Sequence, residues 1–336
     1  MAKRAALLVN LGSPDSYEVP DVKKYLREFL MDKRVIDYPW LFRFLLIEGI
    51  ILNTRPAKSA EAYKSIWWDE GSPLIVLSRK LHTEVQKYAE VPVALGMRYG
   101  NPSIEDGLRE LARNNPDLEE VKLVPLYPHY AMSSFETVVV KAEEVIQRHF
   151  KGLRLFVQEP FYQHPDYISA LGKTLSPHLQ KDYDHILFSY HGIPERHIRK
   201  SDITGSHCLS MDNCCAVDSP AHAFCYRHQV LTTTQRLVEE LNLPTGKYSN
   251  SFQSRLDDKW LRPFTDKELA AFPARGIKKL IVLCPAFVSD CLETIEEIGE
   301  EGREIFMEAG GEEFTLVPCL NDQEDWCRLV AQWAEE

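Results

Sequence analysis

His185-Ile-Leu-Phe-Ser-Tyr-His-Gly-Ile-Pro194 is an apolar run of strand-forming residues that ends at His191 and is closed by a glycine and a proline. We expect a buried strand here, because Gly and Pro commonly mark the end of one. Ligands of open α/β sheets bind beyond the carboxyl ends of the strands, and an imidazole exchanges protons near neutral pH. Two interpretations of His191 stay open at this point: a proton acceptor in a functional site, or a histidine that only caps the strand.

Short apolar runs alternate with amphipathic stretches along the whole chain, a pattern typical of an α/β fold with parallel sheets. The predicted strands are Ala5–Asn10, Val91–Leu95, Val121–Leu126, Leu153–Val157, Ile186–Tyr190, Tyr248–Phe252, Leu280–Cys284 and Phe314–Val317. The predicted helices include Val19–Phe29, Ser103–Arg113, Ser134–His149 and Cys291–Met307, with His164–Leu179 bridging the two halves.

The two halves of the chain share short motifs in the same order. Leu123-Val-Pro-Leu-Tyr-Pro128 parallels Leu280-Ile-Val-Leu-Cys-Pro285, and Asn10-Leu-Gly-Ser-Pro14 parallels Tyr190-His-Gly-Ile-Pro194. Such repetition indicates a duplicated domain. In this alignment Leu11 corresponds to His191, so we expect the chemistry to belong to one half only.

We therefore predict two similar Rossmann-like domains, each with a parallel β-sheet flanked by helices, and an active-site cleft between them. The first comprises residues 1–160 and includes an apolar segment; the second comprises residues 161–336 and includes His191, an acidic helix and a cysteine-rich insert. The last helix stays with the second domain or packs back on the first.

Composition narrows the class of protein. The chain has 336 residues, 44% of them hydrophobic and 26% charged, as in globular proteins. Its net charge of −11 argues against a nucleic-acid partner. We expect a cytoplasmic location, because Met1–Leu11 is too short and too polar for a signal peptide.

An acidic stripe is predicted on the helix Cys291–Met307. Asp290 and Glu293 resemble a capping box at its start. Six carboxylates follow one helical face: Glu293, Glu296, Glu297, Glu300, Glu301 and Glu304. The stripe is either a solvated face or a path that guides a divalent cation or protons. Glu293 and Glu297 lie nearest the predicted strand ends.

Several segments together resemble the ferrochelatases, which insert ferrous iron into a porphyrin to make haem. The segments that carry the resemblance are Leu7-Leu-Val-Asn-Leu-Gly-Ser-Pro14, Asn53-Thr-Arg-Pro56, Gly71-Ser-Pro73, Met97-Arg-Tyr99, Leu126-Tyr-Pro-His-Tyr130, Leu187-Phe-Ser-Tyr-His-Gly-Ile-Pro194, Phe252-Gln-Ser-Arg255 and Ser289-Asp-Cys-Leu-Glu-Thr294. They occur in the family's order and are spread over nearly the whole chain. The resemblance implies that Fe²⁺ enters protoporphyrin IX and that protohaem and two protons leave, the final step of haem biosynthesis.

The resemblance also implies roles for individual residues. His191 would accept pyrrole protons, Glu293 would be its partner carboxylate, both would contact the substrate iron, and Glu297 would continue the path. Seven residues would line the porphyrin: Leu11, Met97, Arg98, Tyr99, Tyr127, Ser133 and Trp260. Arg98 could pair with a propionate, whereas ordinary core packing is the alternative for the aromatic residues. Some family members have histidine where this chain has Cys291, which leaves more of the work to His191.

A cysteine-rich insert follows the His191 loop. It brings four thiols within eighteen residues: Cys208, Cys214, Cys215 and Cys225. A [2Fe–2S] cluster, a zinc site and disulfides are all open from the residues alone, and the spacing matches no common zinc ribbon. Some ferrochelatases carry a [2Fe–2S] cluster, a subset of them in an internal insert, so the resemblance favours the cluster. The other four cysteines are expected to be structural.

The stretch Tyr38–Leu52 is unusually apolar. It either packs against the first sheet or, as in the resembled family, forms a lip that makes loose peripheral contact with a membrane; the acidic net charge opposes binding to anionic lipid. Two rival functions stay open: a chelatase for another metal or tetrapyrrole, and a haem- or iron–sulfur-binding sensor without turnover. The oligomeric state is not predicted.

Overall fold

The computed structural model describes residues 2–336 and divides them into two compact units. The first contains residues up to Tyr127, Met132–Glu159 and Asn321–Glu336; the second contains Pro128–Ala131 and Pro160–Leu320. Met1 lies outside the described residues. It belongs to the first predicted domain and to Met1–Leu11, the segment predicted not to be a signal peptide.

The first unit contains a parallel four-stranded sheet in the order β2-β1-β3-β4. Its strands are β1 Arg4–Asn10, β2 Val93–Met97, β3 Glu120–Pro125 and β4 Arg154–Val157. The second unit repeats the arrangement, parallel and in the order β6-β5-β7-β8. Its strands are β5 His185–His191, β6 Tyr248–Gln253, β7 Lys279–Leu283 and β8 Glu313–Leu316.

The eight predicted strands are all present, with bounds within two residues of the prediction. The largest difference is at β2, predicted at Val91–Leu95, which continues to Met97 because Met97 pairs with Asn10 of β1. The two sheets have equivalent strand orders, so β1 corresponds to β5 and β3 to β7. The predicted α/β class with two similar parallel sheets is confirmed.

Helices flank both sheets. Those of the first unit are α1 Val19–Leu30, α2 Trp40–Leu46, α3 Leu52–Thr54, α4 Pro56–Ile66, α5 Pro73–Tyr88, α6 Ile104–Asn114, α7 Thr137–His149 and, at the end of the chain, α14 Glu324–Glu335. Those of the second unit are α8 Pro165–Leu175, α9 Glu195–Ser201, α10 Tyr226–Leu241, α11 Thr265–Ala271, α12 Leu292–Thr294 and α13 Arg303–Glu308. Three π-helical segments are Ile47–Ile51, Met132–Glu136 and Ile295–Gly302, and short 3₁₀ turns are Ser176–Gln180, Cys214–Ala216, Pro220–Phe224 and Pro273–Arg275.

The final helix α14 belongs to the first unit, where it packs on α5, β1 and β3. It buries Trp326 and Trp333, whose rings meet edge to face at a centroid distance of 5.8 Å. The segment His164–Leu179, predicted to bridge the halves, forms α8 and a 3₁₀ turn inside the second unit, and α8 packs on α10.

The acidic helix is not a regular α-helix, so the predicted 3.6-residue stripe is wrong in detail. Ile295–Gly302 is π-helical, which lengthens each turn and displaces successive glutamates from a straight line. Glu300, Glu301 and Glu304 are exposed, whereas Glu293, Glu296 and Glu297 are partly buried.

The predicted capping box of Asp290 and Glu293 is also wrong. The N-cap is Cys291, which forms a reciprocal box with Thr294. Asp290 instead accepts hydrogen bonds from the Thr294 hydroxyl and the Cys319 amide, so it joins the start of α12 to the chain after β8.

The apolar stretch Tyr38–Leu52, predicted either to be buried or to form a lip, has a largely uncovered face. The exposed residues include Tyr38, Trp40, Leu41, Phe42, Phe44, Leu45 and Ile50, and Phe42 is 73% exposed. Arg43 points inward and donates to the carbonyl groups of Ile36 and Tyr38. Among residues 2–336, no helix is both long and apolar enough to cross a membrane.

Candidate active site

His191 is the last residue of β5, paired with Gln253 of β6, and its side chain is half-buried. Its Nδ1 lies 2.6 Å from the Gly192 carbonyl oxygen. A carbonyl oxygen only accepts hydrogen bonds, so Nδ1 carries the hydrogen and Nε2 of the neutral ring keeps its lone pair. The strand end therefore presents Nε2 as a proton acceptor.

The surroundings of His191 are aromatic and tightly packed. The rings of Trp260 and Phe287 lie 6.5 Å and 6.2 Å from the imidazole centroid. The Tyr226 hydroxyl donates to the His191 carbonyl oxygen. A Cβ added to Gly192 would come within 2.7 Å of the Gln253 carbonyl oxygen, so only glycine allows this close approach of β5 to β6.

The structure brings Glu297 close to both His191 and Glu293, as their charge interactions with its carboxylate indicate. Burial raises the pKa of Glu297, while hydrogen bonds from Ser254 and the neighbouring His191 oppose that rise. The three predicted catalytic residues thus lie together at the carboxyl end of β5 and the start of the acidic helix, within the second unit.

Cys291, where some family members have histidine, is buried at the start of α12. Burial raises the pKa of its thiol well above the usual range, and a hydrogen bond to Glu293 adds to the effect. The thiol is therefore protonated at neutral pH and acts as a cap and a donor.

The segment Met97–Tyr99, predicted to line the porphyrin, is tied to the first unit by a buried ion pair. Arg98 pairs with Asp32 and donates to the Thr137 hydroxyl at 2.7 Å. Tyr99 also donates to Asp32, at 3.0 Å. The pKa of Asp32 is lowered: burial opposes its ionisation, but hydrogen bonds from the Thr137 hydroxyl, the Arg34 amide and Tyr99, together with the Arg98 charge, outweigh burial. The Arg98 charge is thus already neutralised inside the unit.

The other predicted porphyrin residues differ in exposure. Met97 and Tyr99 are fully buried, so their side chains are core residues in this conformation. Leu11, Tyr127 and Ser133 are partly buried in or beside the first unit's loops, and Trp260 in the second unit is also half-buried. The last four therefore keep surface that a ligand can contact.

The four insert cysteines lie close together in the second unit. Cys214 Sγ is 4.0 Å from Cys215 Sγ. Hydrogen bonds from Cys215 and Cys208 lower the pKa of Cys225 below its usual value. Three histidines support the same turns: His207 and His222 lie near the Cys214 carbonyl, and His228 lies near that of Cys215.

No group of three or more His, Cys, Asp or Glu side chains within residues 2–336 has an arrangement that could hold a metal ion. In the described conformation, Cys208 and Cys215 each hydrogen-bond to Cys225. The remaining cysteines are Cys284, Cys291, Cys319 and Cys327, all buried and free of disulfide bonds.

Three residues that organise these sites were given no role by the sequence. Asp32 follows a helix in a charged stretch and has no distinguishing pattern. Gln253 and Ser254 stand in the Phe252-Gln-Ser-Arg255 motif at the end of β6, and that position beside the end of β5 is the signal that could have pointed to them.

Comparison with known proteins agrees with this arrangement. The ferrochelatase family model matches residues 3–336. A ferrochelatase of Azotobacter vinelandii is 52% identical over 99% of this chain and 98% of its own length. One of Stutzerimonas stutzeri is 50% identical over 99% of this chain and 97% of its own length. Among solved structures, the sirohydrochlorin chelatase SirB of Bacillus subtilis shares the fold, with a TM-score of 0.56 and 10% identity over 99% of this chain and 96% of that one. This chain belongs to the ferrochelatase family.

Proposed function

We infer that this chain catalyses the ferrochelatase reaction. Fe²⁺ enters protoporphyrin IX, the two pyrrole N–H bonds break, protohaem forms and two protons are released. Identity of about half over the full length of curated ferrochelatases supports the activity. The observation that carries the site is His191, whose Nε2 is left as the acceptor at a strand end beside Glu293 and Glu297.

We propose that His191 Nε2 accepts a pyrrole proton and that the nearby Glu297 carboxylate stabilises the imidazolium that forms. Glu293, which is partly buried one turn before Glu297, contacts the incoming Fe²⁺ together with His191. The exposed glutamates further along the acidic helix, Glu300, Glu301 and Glu304, connect Glu293 and Glu297 to solvent and provide an exit for protons.

For the porphyrin, we propose contacts with Leu11, Tyr127, Ser133 and Trp260, which are only partly buried. Met97 and Tyr99 support the Leu11 position from within the core of the first unit, where the Tyr99 amide donates to the Leu11 carbonyl oxygen. Arg98 remains a candidate for a propionate, but it would have to share its guanidinium between that group and Asp32.

The test is anaerobic turnover of purified protein with Fe²⁺ and protoporphyrin IX, followed by the loss of porphyrin fluorescence. We expect His191→Ala to lower kcat by about 10²- to 10⁴-fold, the usual contribution of a general base. His149→Ala, at an exposed position of α7, is the control and should leave the rate unchanged. Porphyrin binding without turnover by the wild type would favour the sensor interpretation, and turnover insensitive to His191→Ala would refute the site.

For the cysteine insert, we propose that Cys208, Cys214, Cys215 and Cys225 hold a [2Fe–2S] cluster. The support is chemical: four thiols gathered in one turn region, with one of low pKa, are the donors such a cluster uses. Cys208 and Cys215 each hydrogen-bond to Cys225 in the described conformation, so cluster binding would replace these hydrogen bonds with bonds to iron. No step of the reaction is assigned to the cluster.

Anaerobically purified protein should show the visible absorption of a [2Fe–2S] centre, with two irons and two acid-labile sulfides per chain. Cys214→Ser should abolish that absorption, whereas Cys327→Ser, at a buried cysteine of α14, should keep it. A colourless protein that contains zinc would identify a zinc site instead.

We also propose that the exposed apolar face of Tyr38–Leu52 makes loose peripheral contact with a membrane that supplies the apolar porphyrin. The acidic net charge limits this contact to weakly charged lipid. The cytoplasmic location stays a prediction of the sequence.

A further inference from the structure

One buried residue contacts the surroundings of all three candidate catalytic residues, through its main chain near His191 and through its side chain at Glu293 and Glu297. Gln253, at the end of β6, is 2% exposed. Its main-chain carbonyl oxygen accepts a hydrogen bond from the Gly192 amide at 2.8 Å, next to His191. Its side-chain Nε2 donates to the Glu293 carbonyl oxygen at 2.7 Å and reaches Glu297 Oε2 at 3.3 Å.

The other end of the Gln253 amide is fixed as well. Its Oε1 accepts from the Ser189 hydroxyl at 2.8 Å, and Ser189 is in turn bonded to Thr265. With Oε1 occupied by donors, Nε2 must face the acidic helix, so the side chain has one orientation rather than two.

The next residue, Ser254, holds Glu297 by both of its donors. The Ser254 amide lies 2.6 Å from Glu297 Oε1, and its hydroxyl lies 2.5 Å from Oε2. Ser254 adopts φ +63°, the left-handed region that a residue other than glycine enters at some cost. That conformation turns both donors toward the carboxylate.

We propose that Gln253 and Ser254 are positioning residues for metal insertion: together they hold the Glu297 carboxylate and the first turn of the acidic helix in register with His191. This inference rests on the proposed function. The hydrogen bonds also counteract the effect of burial on the Glu297 carboxylate.

Ser254→Gly is the decisive variant, because glycine keeps the amide donor and favours the left-handed conformation while removing only the hydroxyl. We expect kcat to fall about 10- to 100-fold, the usual range for loss of a group that orients a metal-site ligand. KM for iron and porphyrin should stay within about twofold. The melting temperature should not fall, since backbone strain is relieved.

Asn242→Gly is the matched control. Asn242 has φ +51° at the end of α10, so the change relieves similar strain without touching Glu297. It should leave kcat unchanged. Gln253→Met removes the Nε2 donor at similar length, and we expect a loss of kcat of the same order as for Ser254→Gly.

A double-mutant cycle separates positioning from general packing. If Ser254 acts through Glu297, Ser254→Gly should have little further effect in a Glu297→Gln background. Full additivity, or wild-type kcat in Ser254→Gly, would overturn the proposal while leaving the reaction itself intact. If Glu297→Gln is too slow to measure, the single-variant kcat and melting temperature decide. Absence of wild-type turnover would instead refute the proposed function and this inference together.

Discussion

At the scale of single residues, the surroundings of each polar group in the second unit determine its orientation and its protonation. The Gly192 carbonyl selects the tautomer of His191, and Ser254 orients Glu297. Another histidine, His129, is buried and has no catalytic role in the proposed reaction. It is 2% exposed, its Nε2 bonds to the Thr233 hydroxyl, and its Nδ1 has no hydrogen-bond partner among residues 2–336. Burial lowers the pKa of His129 to about 3, so the ring is neutral in the folded protein.

This burial predicts acid sensitivity. The unfolded chain binds a proton near pH 6.5, whereas folded His129 does so only near pH 3. The stabilising contribution is therefore complete above pH 6.5 and is lost as the pH falls toward 3. At pH 5 the loss is about 2 kcal/mol. In urea unfolding, His129→Gln should lose less stability than wild type between pH 7.5 and 5.

Gln is chosen because its amide can still donate to the Thr233 hydroxyl. The matched control is His149→Gln, at an exposed site, which should behave like wild type. Burial also lowers the pKa of His185, to about 4, so part of the acid loss should persist in the variant. Equal loss in His129→Gln and wild type would contradict the assignment.

At the scale of elements, the least expected features are the π-helical start of the acidic helix and the uncovered face of α2. The π-helix follows a cap made by Cys291 and Thr294, and Gln253 and Ser254 hold its first turns from β6. The face of α2 has no such partners. Its buried anchor is Arg43, while Phe42 and Leu45 face outward.

The α2 face can be tested with lipid vesicles. Phe42→Glu and Leu45→Glu should each lower co-sedimentation with phosphatidylcholine vesicles about tenfold, because each removes roughly 1.4 kcal/mol or more of apolar contact with lipid. Phe156→Glu is the control: this residue is 46% exposed on β4 and gives the same change of charge. Adding anionic lipid should weaken wild-type binding. Equal loss in all three variants would show a general charge effect and contradict the proposal.

At the scale of the whole molecule, segments that are far apart in the sequence belong to the same unit. Apart from Pro128–Ala131, the chain leaves the first unit at Pro160 and returns to it at Asn321, so α14 packs on a sheet whose strands come from the other end of the sequence. The second unit repeats the strand order of the first, but it alone contains the histidine at the corresponding strand end.

The stability of the first unit should therefore depend on the last sixteen residues, Asn321–Glu336. Trp333→Ala leaves a large cavity against the packed sheet and should lower the free energy of unfolding by about 3–5 kcal/mol. Gln332→Ala, at the exposed neighbouring position, should change it by no more than about 0.5 kcal/mol. Chemical denaturation of both variants gives the comparison, and similar stabilities would argue against this packing.

The sequence by itself determined the strands, the duplicated order and the placement of His191, because apolar periodicity and Gly/Pro punctuation are local signals. It also indicated Glu293 and Glu297 as the glutamates nearest the strand ends. It misjudged the helix that carries them, because a π-helical turn depends on packing and capping by distant groups rather than on local pattern.

Only the tertiary structure decided how those residues are held. Ser254 and Glu297 are separated by 43 residues, and Arg98 and Asp32 by 66. Such hydrogen bonds join elements that are brought together by the register of the sheet. No spacing in the sequence therefore predicts them. The residue types needed for proton transfer can be identified from local sequence patterns. Their orientation depends on contacts that form only when the strands of the sheet are paired.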